Sequence, residues 1–124
     1  MRIIVADDDP GFVCEMEHSL GSHGFEVTVA MCGGQVVKEL LKSPGVFDCL
    51  VLDMHMQGLD GIHTVRLARK VAANLPVVMI TTARELKSEI SALCEGVDAI
   101  VTKPFSACEL ADAIISATKK RLKL

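Results

Sequence analysis

The sequence predicts a single α/β domain, built as a doubly wound parallel sheet of five strands in the order 2-1-3-4-5. Three observations predict it. Short apolar runs alternate with longer amphipathic stretches five times over the 124 residues. The first, third and fourth runs are continuously apolar, as parallel strands covered on both faces should be. Turn-forming residues fall between the runs rather than inside them. Such alternation lays helices on both faces of a parallel sheet. Right-handed crossovers then leave few topologies, of which 2-1-3-4-5 is the common one for five strands.

The first strand is Ile3–Ala6, rich in aliphatic residues. Val13, Met16 and Leu20 then share one face of a first helix, and Gly24 ends it. The second strand is Val27–Ala30; the alternation Glu26-Val27-Thr28-Val29 marks it as an edge. Val36, Val37, Leu40 and Leu41 set the face of the second helix, closed by Pro44-Gly45. Cys49–Leu52 is the third strand, with Gly58 in the loop after it. Ile62 and Val65 give a third helix whose basic residues, Arg66–Arg69, are expected to point outward. Asn74 and Pro76 precede the fourth strand, Val77–Ile80. Leu86, Ile90 and Leu93 carry a fourth helix, and Gly96 separates it from the fifth strand, Ala99–Val101. Leu110, Ala113, Ile114 and Ala117 repeat the helical pattern at the end. Ser106 is its expected N-cap and Glu109 the capping-box partner.

Composition narrows the function. One domain spans 1–124 and begins at the strand-like run after Met1, with no repeat or internal linker. Trp and Tyr are absent, so aliphatic packing must build the core. A formal net charge of −3 argues against a nucleic-acid surface. No apolar run reaches the ~20 residues that span a bilayer, and the N-terminus lacks a secretory leader pattern, so a cytoplasmic location is expected. Cys14, Cys32, Cys49, Cys94 and Cys108 form no CxxC and are odd in number, which reads as reduced thiols rather than a disulfide or zinc framework.

The chemistry lies in what ends each strand. Strand one runs into Asp7-Asp8-Asp9, strand three ends at Asp53, strand four in Thr81-Thr82, and strand five leads into Lys103-Pro104. In parallel sheets these carboxyl ends form one rim. Carboxylates crowded there repel unless a cation joins them. Hard oxygen donors in that number suit Mg²⁺, which keeps waters and leaves positions for phosphate oxygens. A lysine and hydroxyls alongside are donors to a phosphoryl group. A carboxylate can attack phosphorus to give an acyl phosphate, and Asp53 is ionised near neutral pH without a separate base. The donor must come from outside, since the chain has no phosphate-binding loop.

Four segments, in order, resemble the receiver domains of two-component response regulators, over Arg2 to about Lys120. They are Val5-Ala6-Asp7-Asp8-Asp9-Pro10, Leu50 through Gly61 around Asp53, Pro76 through Thr81, and Thr102-Lys103-Pro104-Phe105. The resemblance implies a flavodoxin-like (βα)₅ sheet with Asp53 as phosphoacceptor. It implies a Mg²⁺ held by Asp8, Asp53 and the main-chain carbonyl of His55, with Asp7 acting through water. Thr81, with Thr82 beside it, corresponds to the hydroxyl that meets the phosphate, Lys103 to the pairing lysine, and Lys103-Pro104 to a cis peptide. Ile100 stands at the secondary switch position, where many relatives have an aromatic. Gln57 stands where a proline is common, and Ala83 brings no side chain to bear on water.

On this reading a histidine kinase or phosphotransfer protein phosphorylates Asp53. The change biases the face formed by the fourth helix, fifth strand and fifth helix, where a homodimer or an output partner would bind. The domain is then a switch, not an enzyme of small-molecule metabolism. The alternatives are a pseudo-receiver that docks or dimerises without phosphorylation, and an aspartate-nucleophile phosphatase. Position 55 argues against the phosphatase, because such enzymes carry a second acid there and this chain has His55. Lys119, Lys120, Arg121 and Lys123 either complement the last helix dipole or open a linker to an effector domain past Leu124.

Overall fold

The computed structural model describes residues 1–54, 56, 61–84 and 96–122. In chain order it contains β1 (Arg2–Ala6), α1 (Pro10–Gly21), β2 (Glu26–Ala30), α2 (Gly33–Lys42), β3 (Cys49–Asp53), α3 (Gly61–Val71), β4 (Val77–Thr82), β5 (Ala99–Lys103) and α4 (Ala107–Leu122). The helix expected around Leu86, Ile90 and Leu93 lies outside the described residues. The C-terminal helix expected as the fifth is therefore α4 here. No described helix is long and apolar enough to cross a membrane.

All strands are parallel and lie in the order β2-β1-β3-β4-β5, as expected. Because successive strand side chains point to opposite faces, the core divides by parity. Ile3, Val5, Val51, Val78 and Ile80 face α1 and α4, packing on Val13, Met16, Leu20, Leu110 and Ile114. Ile4, Ala6, Leu50, Leu52, Val77 and Met79 face α2 and α3, packing on Val36, Leu40, Val65 and Ala68. Central β3 is buried along its whole length, whereas edge strand β2 is half-buried. Leu41, expected on the buried face of α2, is 61% exposed. The Val36–Leu40 stripe already fills the groove, and a residue one position on turns about 100° away.

β3, β4 and β5 run past their expected ends, to Asp53, Thr82 and Lys103. Each chemistry-bearing residue is therefore the last rung of a hydrogen-bonded ladder rather than part of a loop. Ser106 caps α4 as expected: Glu109 N donates to Ser106 Oγ at 3.1 Å, and Glu109 Oε1 accepts from Ser106 N at 3.4 Å.

One polar tie braces the opposite end of the sheet. The Asp98 side chain, 7% exposed, accepts from Val77 N at 2.8 Å, Arg69 Nη2 at 3.1 Å and Arg121 Nε at 2.7 Å. Arg69 also donates to Leu75 O and Gly96 O. This corrects the expectation that Arg69 points outward: its guanidinium reaches under the sheet. Arg121 is likewise a structural partner and not only a dipole cation.

Candidate functional site

The site is assembled at the carboxyl rim by β1, β3 and β5. Asp7 follows β1 and extends its ladder, with Asp7 N donating to Ala30 O at 3.1 Å. Met54 N does the same for β3, donating to Ile80 O at 3.0 Å, which fixes the backbone beside Asp53. Lys103 ends β5, paired in register with Thr82. Lys103 Nζ donates to Asp53 Oδ2 at 2.7 Å and stands 4.0 Å from Asp7 Oδ2. Asp7 and Asp53 are 3% and 7% exposed, so one ammonium faces two nearly buried carboxylates. The ammonium also sits 4.8 Å above the Phe12 ring centroid, and Phe12 meets Phe105 edge to face.

Asp7 bears the strain of this crowding. Its Oδ1 accepts from Asp9 N at 3.0 Å, but Oδ2 is buried with no hydrogen bond. Burial, and then the charge of Asp53, pushes the Asp7 carboxyl up to about 7. A buried acceptor of this kind, beside a second carboxylate, suits a hard divalent cation. Among the described residues no three acid, histidine or cysteine side chains converge on one point. Mg²⁺ would thus draw further ligands from main-chain carbonyls and water, which matches its habits.

A pH dependence follows. The folded state holds the Asp7 proton up to about 7, whereas an unfolded carboxyl releases it near 3.8. In metal-free solution this group's stabilisation is full below the lower value and is lost as pH rises through the upper one. Asp7→Asn keeps an oxygen for Asp9 N and removes the charge. It should raise the Tm of the metal-free domain at pH 8, leave it little changed near pH 4, and shrink the stabilisation by Mg²⁺. A melting series across that range checks this; an Asn variant no more stable at pH 8 contradicts it.

The other expected residues fall as follows. Asp9 is the N-cap of α1, its Oδ1 accepting from Gly11 N at 3.0 Å and Phe12 N at 3.4 Å. Asp8 is half-buried between Asp7 and that cap. Thr81 is buried, with Oγ1 3.4 Å from both Met54 Sδ and Thr82 O, and Thr82 is half-buried. Ile100 is exposed on β5. The Lys103–Pro104 peptide is cis. His55 and Gln57 lie outside the described residues.

Two site residues carried no signal of their own in the sequence. Phe12 is one; its only hint is that it follows the Asp9 cap by three residues. Gly61 is the other: a Cβ there would meet Met54 Cα at 2.8 Å and Asp53 O at 2.9 Å, and its N–H donates to Met54 O at 3.0 Å. Those obstacles are backbone and cannot rotate away. Gly61→Ala should therefore cost about 1–3 kcal/mol and displace the chain that carries Asp53. Denaturant melts and the rate of phosphoryl acceptance would both register it, and an Ala variant equal to wild type in both would contradict it.

Comparison with known proteins agrees with this geometry. The family model described as the response regulator receiver domain matches residues 3–115. The chain is 28% identical over 120 residues to transcriptional regulatory protein PrrA of Mycobacterium tuberculosis, covering 97% of this chain and 51% of PrrA. It is 33% identical over 124 residues to response regulator MprA of Mycobacterium ulcerans, covering 100% of this chain and 52% of MprA. It thus spans about half the length of these curated relatives. Among solved structures, a response regulator receiver domain protein from Clostridium thermocellum superposes with a TM-score of 0.90 at 27% identity, covering 99% of this chain and 98% of that one. A response regulator receiver protein from Sinorhizobium medicae is 32% identical with a TM-score of 0.79, covering 98% and 96%.

Proposed function

The chain belongs to the receiver-domain family of response regulators, and on that premise we propose that it is a phosphorylation-driven switch whose acceptor is Asp53. The reading rests on one observation: β1, β3 and β5 bring a buried carboxylate, a second acid and a lysine together, with Lys103 Nζ 2.7 Å from Asp53 Oδ2.

An oxygen of Asp53 attacks the phosphorus of a phosphohistidine on a histidine kinase or phosphotransfer protein, and the leaving imidazole takes the electron pair of the broken bond. Asp8, Asp53 and the His55 carbonyl would hold Mg²⁺, with Asp7 acting through water. When bound, the ion supplies positive charge that offsets charge on the transferring oxygens. Lys103 gives up its ion pair with the free carboxylate for a pair with a phosphoryl oxygen. Thr81 and Thr82 lie on the same rim as further donors.

The product carries nearly two negative charges where one stood. Attraction of Lys103 and Thr81 toward it biases β5, α4 and the segment preceding β5. Ile100, exposed on β5, lies on that face and would report the change to a homodimer partner or an output protein. The domain, 1–124, acts in the cytoplasm as a self-phosphorylating and self-dephosphorylating switch rather than as an enzyme of metabolism. Its curated relatives include a transcriptional regulatory protein, so an attached or separate transcriptional output is the output proposed.

Intact-mass spectrometry after incubation with acetyl phosphate tests the reading. A single phosphoryl adduct that forms with Mg²⁺ and not with a chelator supports it. No adduct under rapid acid quench would favour a pseudo-receiver that docks without phosphorylation.

A further inference from the structure

We propose that Cys108 and His23 form a thiol modification site that takes low-molecular-weight disulfides, separate from the carboxylate site. Cys108 lies in the first turn of α4, and His23 in the turn between α1 and β2. Both are exposed, and Cys108 Sγ lies 3.6 Å from His23 Nε2.

The second ring nitrogen decides the chemistry. His23 Nδ1 is 2.9 Å from the carbonyl oxygen of Ser19. A carbonyl can only accept, so Nδ1 carries the hydrogen. In the neutral ring Nε2 is then the lone-pair nitrogen, and it faces the thiol. The imidazole is held in this pose by a turn that has little freedom. His23 N donates to Leu20 O at 3.0 Å and Gly24 N to Gly21 O at 3.1 Å, with Gly24 at φ +89°. A fixed base beside an accessible thiol is the arrangement that activates a cysteine nucleophile.

The reaction balances without a further reagent. The Cys108 proton passes to His23 Nε2 as Sγ attacks one sulfur of the disulfide. The protein–ligand S–S bond forms, the original S–S bond breaks, and the departing thiolate keeps its electron pair. The imidazolium then returns the proton to that thiolate.

The chain holds its own controls. Cys14 is exposed on α1 with no such partner among the described residues. Cys49 is fully buried, and burial, then Asp98 and Asp48, pushes its thiol up to about 12. The native chain would be treated with oxidised glutathione at neutral pH, quenched with acid, and mapped by peptide mass over time. Cys108 should be modified about tenfold faster than Cys14, and His23→Gln should bring it to within about twofold of Cys14. An unchanged Cys14 rate in that variant certifies the fold. Equal rates at the two positions in wild type, or a Cys108 rate indifferent to His23→Gln, would overturn the proposal.

Discussion

Asp53→Asn should reduce phosphoryl acceptance from acetyl phosphate to background while leaving the domain folded. The amide has the same shape and can still accept from Lys103, whose Nζ lies 2.7 Å from Oδ2, so the packing around the end of β3 survives. What disappears is the ionised oxygen that forms the bond to phosphorus. Neighbouring acids are poorly placed to replace it. Asp9 Oδ1 is committed to the N-terminus of α1, and Asp7 Oδ1 to Asp9 N. Removing one of two buried carboxylates also relieves repulsion on Asp7, so the variant's Tm in metal-free buffer should equal or exceed that of wild type. Loss of the adduct together with retained or raised Tm is the expected pair of results. An adduct of wild-type yield would place the nucleophile elsewhere.

The largest loss of stability is expected at the other end of the sheet. Asp98→Ala removes a carboxylate that three donors share, leaving Arg69 and Arg121 side by side and Val77 N without its acceptor. Burial and then the neighbouring Arg121 charge already lower the Arg69 pKa, with Asp98 opposing both. Deleting one partner of a buried ion pair costs about 3–5 kcal/mol, because the charge left behind is neither solvated nor paired. Asp98→Asn should cost less, since its oxygen can still accept from Val77 N. Denaturant titration of the two variants checks both the size and the order. An Ala variant within about 1 kcal/mol of wild type would mean that the tie is surface-like and solvent-screened.

These two sites differ in how legible they were. Strands β1, β3 and β4 announced themselves as unbroken apolar runs, because a parallel sheet buried on both faces leaves no room for polar alternation. Asp53 and Lys103 stood out because each ends such a run, where a charge must serve a cap or a site. Nothing comparable marks Asp98. It is a single acid between a turn glycine and a short strand, and its partners lie 29 and 23 residues away in the chain. Local periodicity carries no information about pairing over that distance, so Arg69 read as one more solvated cation on α3. The acid immediately ahead of the fifth strand was the one available hint. Phe12 escaped for a related reason: its position on α1 fits an ordinary half-buried apolar residue, and its contact with Lys103 exists only once β5 is laid beside α1. Gly61 was visible as part of a motif, but the need for glycine is steric and appears only when the backbone of Asp53 and Met54 is seen against it.

The central claim is that one carboxylate, that of Asp53, takes the phosphoryl group. Borohydride reduces an acyl phosphate to the alcohol, so an aspartate phosphorylated at the moment of treatment becomes homoserine and can be placed by peptide sequencing. Treating the acetyl phosphate-loaded, Mg²⁺-bound protein with borohydride should convert position 53 alone, with Asp7, Asp8 and Asp9 intact. Conversion at any of those three, or a stable adduct with no reduced aspartate, would contradict the assignment.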